Sequence, residues 1–191
     1  PRTMGVLRPL KLTITNYPED QIEYLPALIN PNDPEAGTYE IPFGRHLYIE
    51  QEDFREEANN KFYRLKPGKE VRLKYAYIIQ CNDYVKDEET GEILELFCTY
   101  DPTTVSGGPN SGRKVKGTLH WVEATNAVDA TAHLYGDLLD FESEAEDIVD
   151  QFNQKSLEVL EGVKLEPMMK DTKVGTTYQF LRNGYFCVDS K

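Results

Sequence analysis

The segment from Phe54 to Lys74 concentrates cations and aromatic rings in a chain that is acidic overall. It carries seven Lys or Arg and three Glu, whereas the whole protein has a formal net charge of −12. Cations bind phosphates and flat rings stack on nucleobases, so this basic segment predicts a local polyanion site. Basic residues that alternate along a strand are also typical of a solvated face, and the pattern alone leaves that interpretation open.

The sequence contains no arrangement typical of a catalytic or metal centre. His46, His120 and His133 are scattered and lack the spacing of metal ligands, and no nucleophile or phosphate-loop motif is present. His120 adjoins Trp121 in an apolar segment, which favours a structural, hydrogen-bonded histidine. The acidic stretch 140–150 lacks the alternating ligands of a Ca²⁺ loop, so we interpret it as a solvated acidic face. We therefore predict no catalytic residue and no metal site.

The composition is typical of a globular chain of one or two domains, with 191 residues of which 39% are hydrophobic. A pI near 4.7 argues against diffuse binding to nucleic acid or to an anionic membrane. Three cysteines without framework spacing predict reduced thiols and a cytoplasmic location. No apolar run approaches the roughly 18 residues of a membrane span, so we predict no membrane association. The sequence starts at Pro1, and we expect a fragment or a processed product.

Most of the chain shows the alternation of short strands separated by Gly and Pro. The expected strands are 10–15, 46–49, 71–79, 94–100, 116–122, 131–135, 157–160, 177–180 and 185–188. A hairpin tip is expected at 87–92 and an irregular loop at 26–34, where three prolines interrupt any ladder. Apolar residues four positions apart predict a short helix over 50–60, and a second helix is expected near 144–152.

This pattern predicts an all-β fold, mainly two small β-barrels with short helices. The Gly- and Pro-rich linker 103–112 is the expected boundary and the most flexible part of the chain. We assign residues 1–104 to a proximal barrel and 113–191 to a distal barrel. A return of the C-terminal strands to the first barrel is left open.

The basic segment resembles the F-R-E-E-A-N-x-x-Y-x-R-L-x-x-G-K-E-V-R-L segment of the glutaminyl-tRNA synthetases. Residues 97–101, 112–122 and 184–190 resemble further blocks of that family in the same order, and residues 1–7 resemble the entry into its C-terminal half. The resemblance covers essentially the whole chain. It implies the anticodon-binding region of the family, which consists of two β-barrels related to a ribosomal 5S RNA-binding protein.

By resemblance, the partner is the CUG or UUG anticodon loop of the glutamine tRNA. The full-length enzyme would use ATP and Mg²⁺, and its catalytic domain would precede this region. The H-I-G-H and K-M-S-K-S motifs of class I adenylation are absent, so the fragment should hold no cofactor and be inactive alone. We expect a monomer.

The resemblance also implies which residues meet the bases. Arg2 and Gln179 fall at the pocket for the middle uridine, where Lys61 replaces a Gln of some members. An ammonium cannot supply the acceptor of an amide, so this pocket must be satisfied differently here. Arg64 and Arg182 fall at the guanine in the third position, where a planar fork of donors matches the O6 and N7 acceptors.

Three further residues are placed near the first anticodon base. Tyr63 replaces a Lys of some members, and its ring offers stacking instead. Arg72 corresponds to an Arg near this base and its backbone, and Lys74 stands where Arg is frequent and suits a phosphate. Arg64 and Arg182 are 118 positions apart, so they meet only if the two barrels pack together.

Three other interpretations compete with this one. The archaeal and eukaryotic type of glutamyl-tRNA synthetase shares these barrels, but the blocks 97–101 and 184–190 favour the glutaminyl branch. A free-standing ribosomal RNA-binding barrel protein would need one barrel and would leave Arg182 unexplained. A protein-interaction module without RNA is the remaining alternative.

Overall fold

The computed structural model describes residues 1–140, 142 and 147–190, and within them the chain is built from short β-strands. The strands are β1 (Arg2–Thr3), β2 (Gly5–Val6), β3 (Pro9–Ile14), β4 (Glu23–Leu28), β5 (Thr38–Phe43), β6 (His46–Glu50), β7 (Glu70–Leu73), β8 (Ile78–Lys86), β9 (Ile93–Asp101), β10 (Thr118–Leu119), β11 (Val122–Glu123), β12 (Val128–Tyr135), β13 (Leu157–Leu165), β14 (Thr177–Phe180) and β15 (Gly184–Cys187). The predicted all-β class is confirmed. Helical structure in these residues consists of the 3₁₀ turns Pro34–Ala36, Gln51–Asp53, Pro102–Thr104 and Pro167–Met169.

The larger core lies against a curled seven-stranded sheet in the order β10-β7-β8-β9-β3-β6-β11. Its apolar side chains alternate along the strands, and Leu12, Leu47 and Leu73 are fully buried. Phe43 and Trp121 meet edge to face with ring centroids 5.2 Å apart in this core. A second, smaller apolar cluster includes Leu7, Val163 and Phe180. Of the described residues, none forms a helix with the length and apolar character needed to cross a bilayer.

The sheets exchange strands across the boundary that we expect between 104 and 113. The N-terminal β1 pairs in parallel with β14, and β2 pairs with β13. In the other direction, β10 pairs with β7 and β11 pairs with β6. Strands from residues 1–104 and from residues 113–191 therefore share sheets, and the division into two barrels remains a prediction.

Two sequence expectations near the basic segment are wrong. Residues 50–60 form a single 3₁₀ turn followed by an irregular stretch with bends, because Phe54 makes an isolated β-bridge with Leu65 and both side chains are buried. The expected strand 71–79 is interrupted after Leu73 by a tight turn in which Tyr75 has a φ of +64°. Strands β7 and β8 on either side of it pair in antiparallel fashion.

Two more expectations lie away from this segment. The loop predicted at 26–34 begins later, because Pro26 lies within β4 and pairs in register with Glu40. Strand β4 pairs only with β5 among the described residues, and an edge strand tolerates a proline. The helix expected near 144–152 lies partly outside the described residues, and residues 148–151 form turns. The predicted hairpin tip 87–92 is confirmed between β8 and β9.

Candidate nucleic-acid interface

A buried carboxylate, Asp53, holds two of the predicted site residues, Arg64 and Arg182. Its side chain is fully buried at the end of the 3₁₀ turn that follows β6. Arg182 donates from Nη1 to Oδ2 at 2.7 Å and from Nη2 to Oδ1 at 2.6 Å. The Nε atom of Arg64 lies 3.4 Å from Oδ1. The structure therefore brings Arg64 and Arg182, which are 118 positions apart, together on one anion.

The backbone around Arg182 fixes the direction of its side chain. Arg182 has a φ of +69° in the turn between β14 and β15, a conformation that non-glycine residues adopt infrequently. The next residue, Asn183, donates from Nδ2 to the Gly5 carbonyl at 3.0 Å and to Glu50 Oε1 at 2.9 Å. The hydrogen bonds to Asp53 raise the pKa of the Arg182 guanidinium, so it stays charged. The turn is thus anchored on both sides of the cation.

A cavity of about 460 Å³ opens above this pair and has a cationic lining. Its lining residues are Arg55, Lys61, Phe62, Tyr63, Arg64, Lys116, Gly117, Thr118 and Arg182. Five of these nine residues are Lys or Arg and none is acidic. A positive groove with aromatic walls is the arrangement that single-stranded nucleic acid requires.

Tyr63 carries the exposed ring of this cavity, with 44% of its surface accessible. The Nζ atoms of Lys69 and Lys116 lie 5.5 Å and 5.2 Å from its ring centroid. Gly117, next to Lys116, lies against the backbone of Tyr63. A Cβ at this position would lie 2.0 Å from the Tyr63 carbonyl oxygen, so only glycine fits there. Gly117 is therefore required for this wall of the cavity.

Residues 1–101 and 118–189 match two families that carry the same description, "tRNA synthetases class I (E and Q), anti-codon binding domain". The chain belongs to this family of anticodon-binding domains. Its relatives include the glutamine–tRNA ligase of Nitrobacter winogradskyi, 50% identical over 98% of this chain and 34% of that protein. The glutamine–tRNA ligases of Clostridium kluyveri and Clostridioides difficile are 48% and 49% identical, each over the whole of this chain and 35% of the relative. The chain thus spans about a third of the length of these curated relatives.

A second pair of predicted site residues in this anticodon-binding domain meets on neighbouring strands. Arg2 and Gln179 are register partners of β1 and β14, and Arg2 Nε donates to Gln179 Oε1 at 2.8 Å. Lys74 Nζ lies 4.9 Å from the centroid of the Tyr75 ring. Lys61 is exposed at the cavity described above, and its backbone amide donates to Asn59 Oδ1. Lys61 therefore lies with Tyr63 and Arg64, and the residues expected at the uridine are spread over two places.

Arg72 holds the expected linker in place. Its Nη1 donates to the carbonyls of Ala76 and Thr104, and its Nη2 donates to those of Ser111 and Arg113, at 2.7–3.3 Å. Burial, with the charge of Arg113 nearby, lowers the pKa of Arg72. The stretch 103–112, expected to be the most flexible, is thus tied to β7 by one guanidinium.

Sequence reasoning missed several residues of this interface. Arg55, Phe62, Lys116 and Thr118 line the cavity but were not singled out, although the first two lie inside the basic segment. Lys116 belongs to a block that resembles the family, which was the available signal. The expected structural role of His120 is confirmed, since it is buried and hydrogen-bonded.

Proposed function

We propose that this chain is the anticodon-binding part of a glutamine–tRNA ligase and binds the CUG or UUG anticodon loop of the glutamine tRNA. Arg64 and Arg182 contact the guanine in the third position, and Arg2 with Gln179 reads the middle uridine. Lys61 supplies a cation beside these bases. The relatives reported above are glutamine–tRNA ligases, which supports the glutaminyl branch over the glutamyl one.

The remaining predicted residues serve the first base. Tyr63 offers its exposed ring for stacking, as unpaired bases in RNA loops require. Lys74 meets the backbone phosphate. Because all four hydrogen bonds of the Arg72 guanidinium end on backbone carbonyls, Arg72 acts in this proposal by fixing the linker beside the site.

The observation that carries the proposal is the shared Asp53 beneath the cationic cavity. A solvated basic face would leave Arg64 and Arg182 independent of each other. Here both guanidinium groups approach one fully buried carboxylate at distances of 2.6–3.4 Å. Two donor forks at the mouth of a basic, aromatic cavity suit a guanine edge with two acceptors.

Activity belongs to the longer protein in this proposal. Aminoacylation with ATP and Mg²⁺ requires a catalytic domain that precedes this region, and this chain alone binds tRNA without aminoacylating it. We propose that the protein is a monomer and works in the cytoplasm.

Filter binding to anticodon stem-loops tests the proposal. Loops carrying CUG and UUG should bind more tightly than loops with a changed middle or third base. The change Arg182→Ala should cost about 1–3 kcal/mol of discrimination at the third base. Arg182→Lys retains the charge but not the fork, so it should keep most of the salt-sensitive affinity and lose the discrimination. Equal, weak and salt-sensitive binding of every loop by the unmodified chain would refute specific anticodon recognition.

A further inference from the structure

The hydrogen bonds of Arg182 leave one edge of its guanidinium free. A guanidinium has five N–H donors in a fixed planar fork. Nη1 uses its two hydrogens on Asp53 Oδ2 and His120 Nδ1, the latter at 3.1 Å. Nη2 uses one hydrogen on Asp53 Oδ1. Within the described residues no acceptor engages the second hydrogen of Nη2 or the Nε hydrogen, and these two donors are adjacent on one edge.

The His120 ring must accept a hydrogen bond from Arg182, and this requirement fixes its tautomer. A guanidinium only donates, so His120 Nδ1 carries the lone pair and the ring proton is on Nε2. Nε2 lies 3.1 Å from Glu50 Oε1 and donates to it. The ring is 1% exposed, so no solvent competes for either nitrogen. His120 thus holds Nη1 on the edge of the guanidinium opposite the free Nε/Nη2 edge.

Glu50 closes the network back onto the turn that carries Arg182. It accepts hydrogen bonds from the amides of Leu7 and Arg8 at 2.8 and 2.9 Å, and from Asn183. Burial would raise the pKa of Glu50, but the bonds from His120, these amides and Asn183 outweigh burial and lower it. The carboxylate is therefore ionised and gives His120 a fixed acceptor. Both the guanidinium and the backbone of this turn are anchored to the same frame.

We propose that Asp53 and His120 are positioning residues that present the Nε/Nη2 edge of Arg182 to the third anticodon base and so set its preference for guanine. This inference rests on the function proposed above. Guanine offers two acceptors, O6 and N7, to a two-donor edge, whereas adenine offers N7 and a donating amino group. An Arg182 free to rotate would still give one donor to the N7 of either purine. Loss of the network therefore reduces discrimination more than affinity.

The substitution Asp53→Asn tests the positioning role in the whole chain. It removes the carboxylate that accepts hydrogen bonds from Nη1 and Nη2 of Arg182, and it nearly preserves the volume of the side chain. The matched control is Glu52→Gln, which makes the same change of charge at an adjacent carboxylate, 69% exposed and 3.6 Å from Arg64 Nη1. Stem-loops with guanine or adenine in the third position are titrated against each folded protein. We expect Asp53→Asn to lower the guanine preference about tenfold, and Glu52→Gln to leave it unchanged.

A second pair of variants keeps the test decisive if Asp53→Asn does not fold. His120→Phe removes the acceptor for Nη1, whereas His120→Asn keeps an oxygen near the position of Nδ1. We expect the guanine preference to fall in the first and to be largely restored in the second, at an unchanged salt dependence of binding. A folded Asp53→Asn or His120→Phe protein with the full preference would overturn the positioning role. If the unmodified chain itself shows no guanine preference, the proposed function fails and the positioning role fails with it.

Discussion

The pH dependence of stability should be controlled in part by one buried acid, Glu166. Its side chain is 3% exposed. Oε1 accepts from the Met4 amide at 2.6 Å and from the Tyr39 hydroxyl at 3.2 Å, whereas Oε2 and the hydroxyl of Thr3 have no well-formed hydrogen bond among the described residues. Burial raises the pKa of Glu166 from 4.5 to about 7, because these hydrogen bonds compensate only in part.

The native state therefore retains a proton that the unfolded chain releases. Between pH 4.5 and about 7 the folded protein binds more protons at Glu166, so its stability falls as the pH rises through this window. The shift corresponds to about 3 kcal/mol of stability, which is fully present below the unfolded pKa and is lost as the pH rises through about 7.

Urea unfolding of the unmodified chain and of Glu166→Gln at pH 5 and pH 8 measures this contribution. Glutamine keeps the Oε1 acceptor and cannot ionise. The stability of the variant relative to the unmodified chain should rise by about 2–3 kcal/mol between these two pH values. Tyr39→Phe removes a hydrogen bond that lowers the pKa of Glu166, so it should extend the loss of stability to higher pH. If the profiles of the unmodified chain and Glu166→Gln stay parallel, Glu166 is ionised throughout and the reasoning is wrong.

Two further substitutions test the walls of the interface. Gly117→Ala places a Cβ 2.0 Å from the Tyr63 carbonyl oxygen, so it should destabilise the fold by about 1–3 kcal/mol and weaken binding of the stem-loop in the assay above. Gly112→Ala, where a Cβ meets nothing within 4 Å, should change neither, and equal effects of the two would contradict the steric argument. Arg72→Met removes the donor to four backbone carbonyls, two of which (Thr104 and Ser111) belong to the linker, so limited proteolysis should cut the stretch 103–112 several-fold faster. Lys74→Met, on the adjacent turn, should leave the cleavage rate unchanged. An unchanged cleavage rate in Arg72→Met would show that the linker is held by other contacts.

Strands such as β3, β6 and β9 were predictable because a period of two residues is a local property of the sequence, whereas β4 and β5 were not among the expected strands. The irregular stretch after Asp53 was not, because residues 50–60 carry apolar side chains at helical spacing. What decides their conformation is distant: Phe54 bridges Leu65, and Asp53 is buried under Arg182. The turn at Tyr75 was missed for the same reason, since an aromatic residue in an apolar run gives no local indication of a φ of +64°.

The candidate site divides in the same way. Composition identified the basic segment, and the resemblance to a family paired Arg64 with Arg182. The residues that hold them were not identified as part of the site. Asp53 precedes the basic segment by one position and is one of 33 acidic residues, so nothing local distinguishes it. Its importance arises only when the turn between β14 and β15 packs against it.

In the proposed function, the shared carboxylate also affects the balance between attraction for phosphate and discrimination among bases. Arg64 and Arg182 together with Asp53 carry one net positive charge, so the carboxylate cancels much of their Coulomb attraction for phosphate. The burial of Asp53 is tolerable because both partners are cationic and its oxygens are hydrogen-bonded. What the arrangement retains is direction, since a guanidinium held at two nitrogens has only one edge left for a base. A site built this way favours discrimination over affinity, while the cations at the rim of the cavity supply the attraction that brings RNA to it.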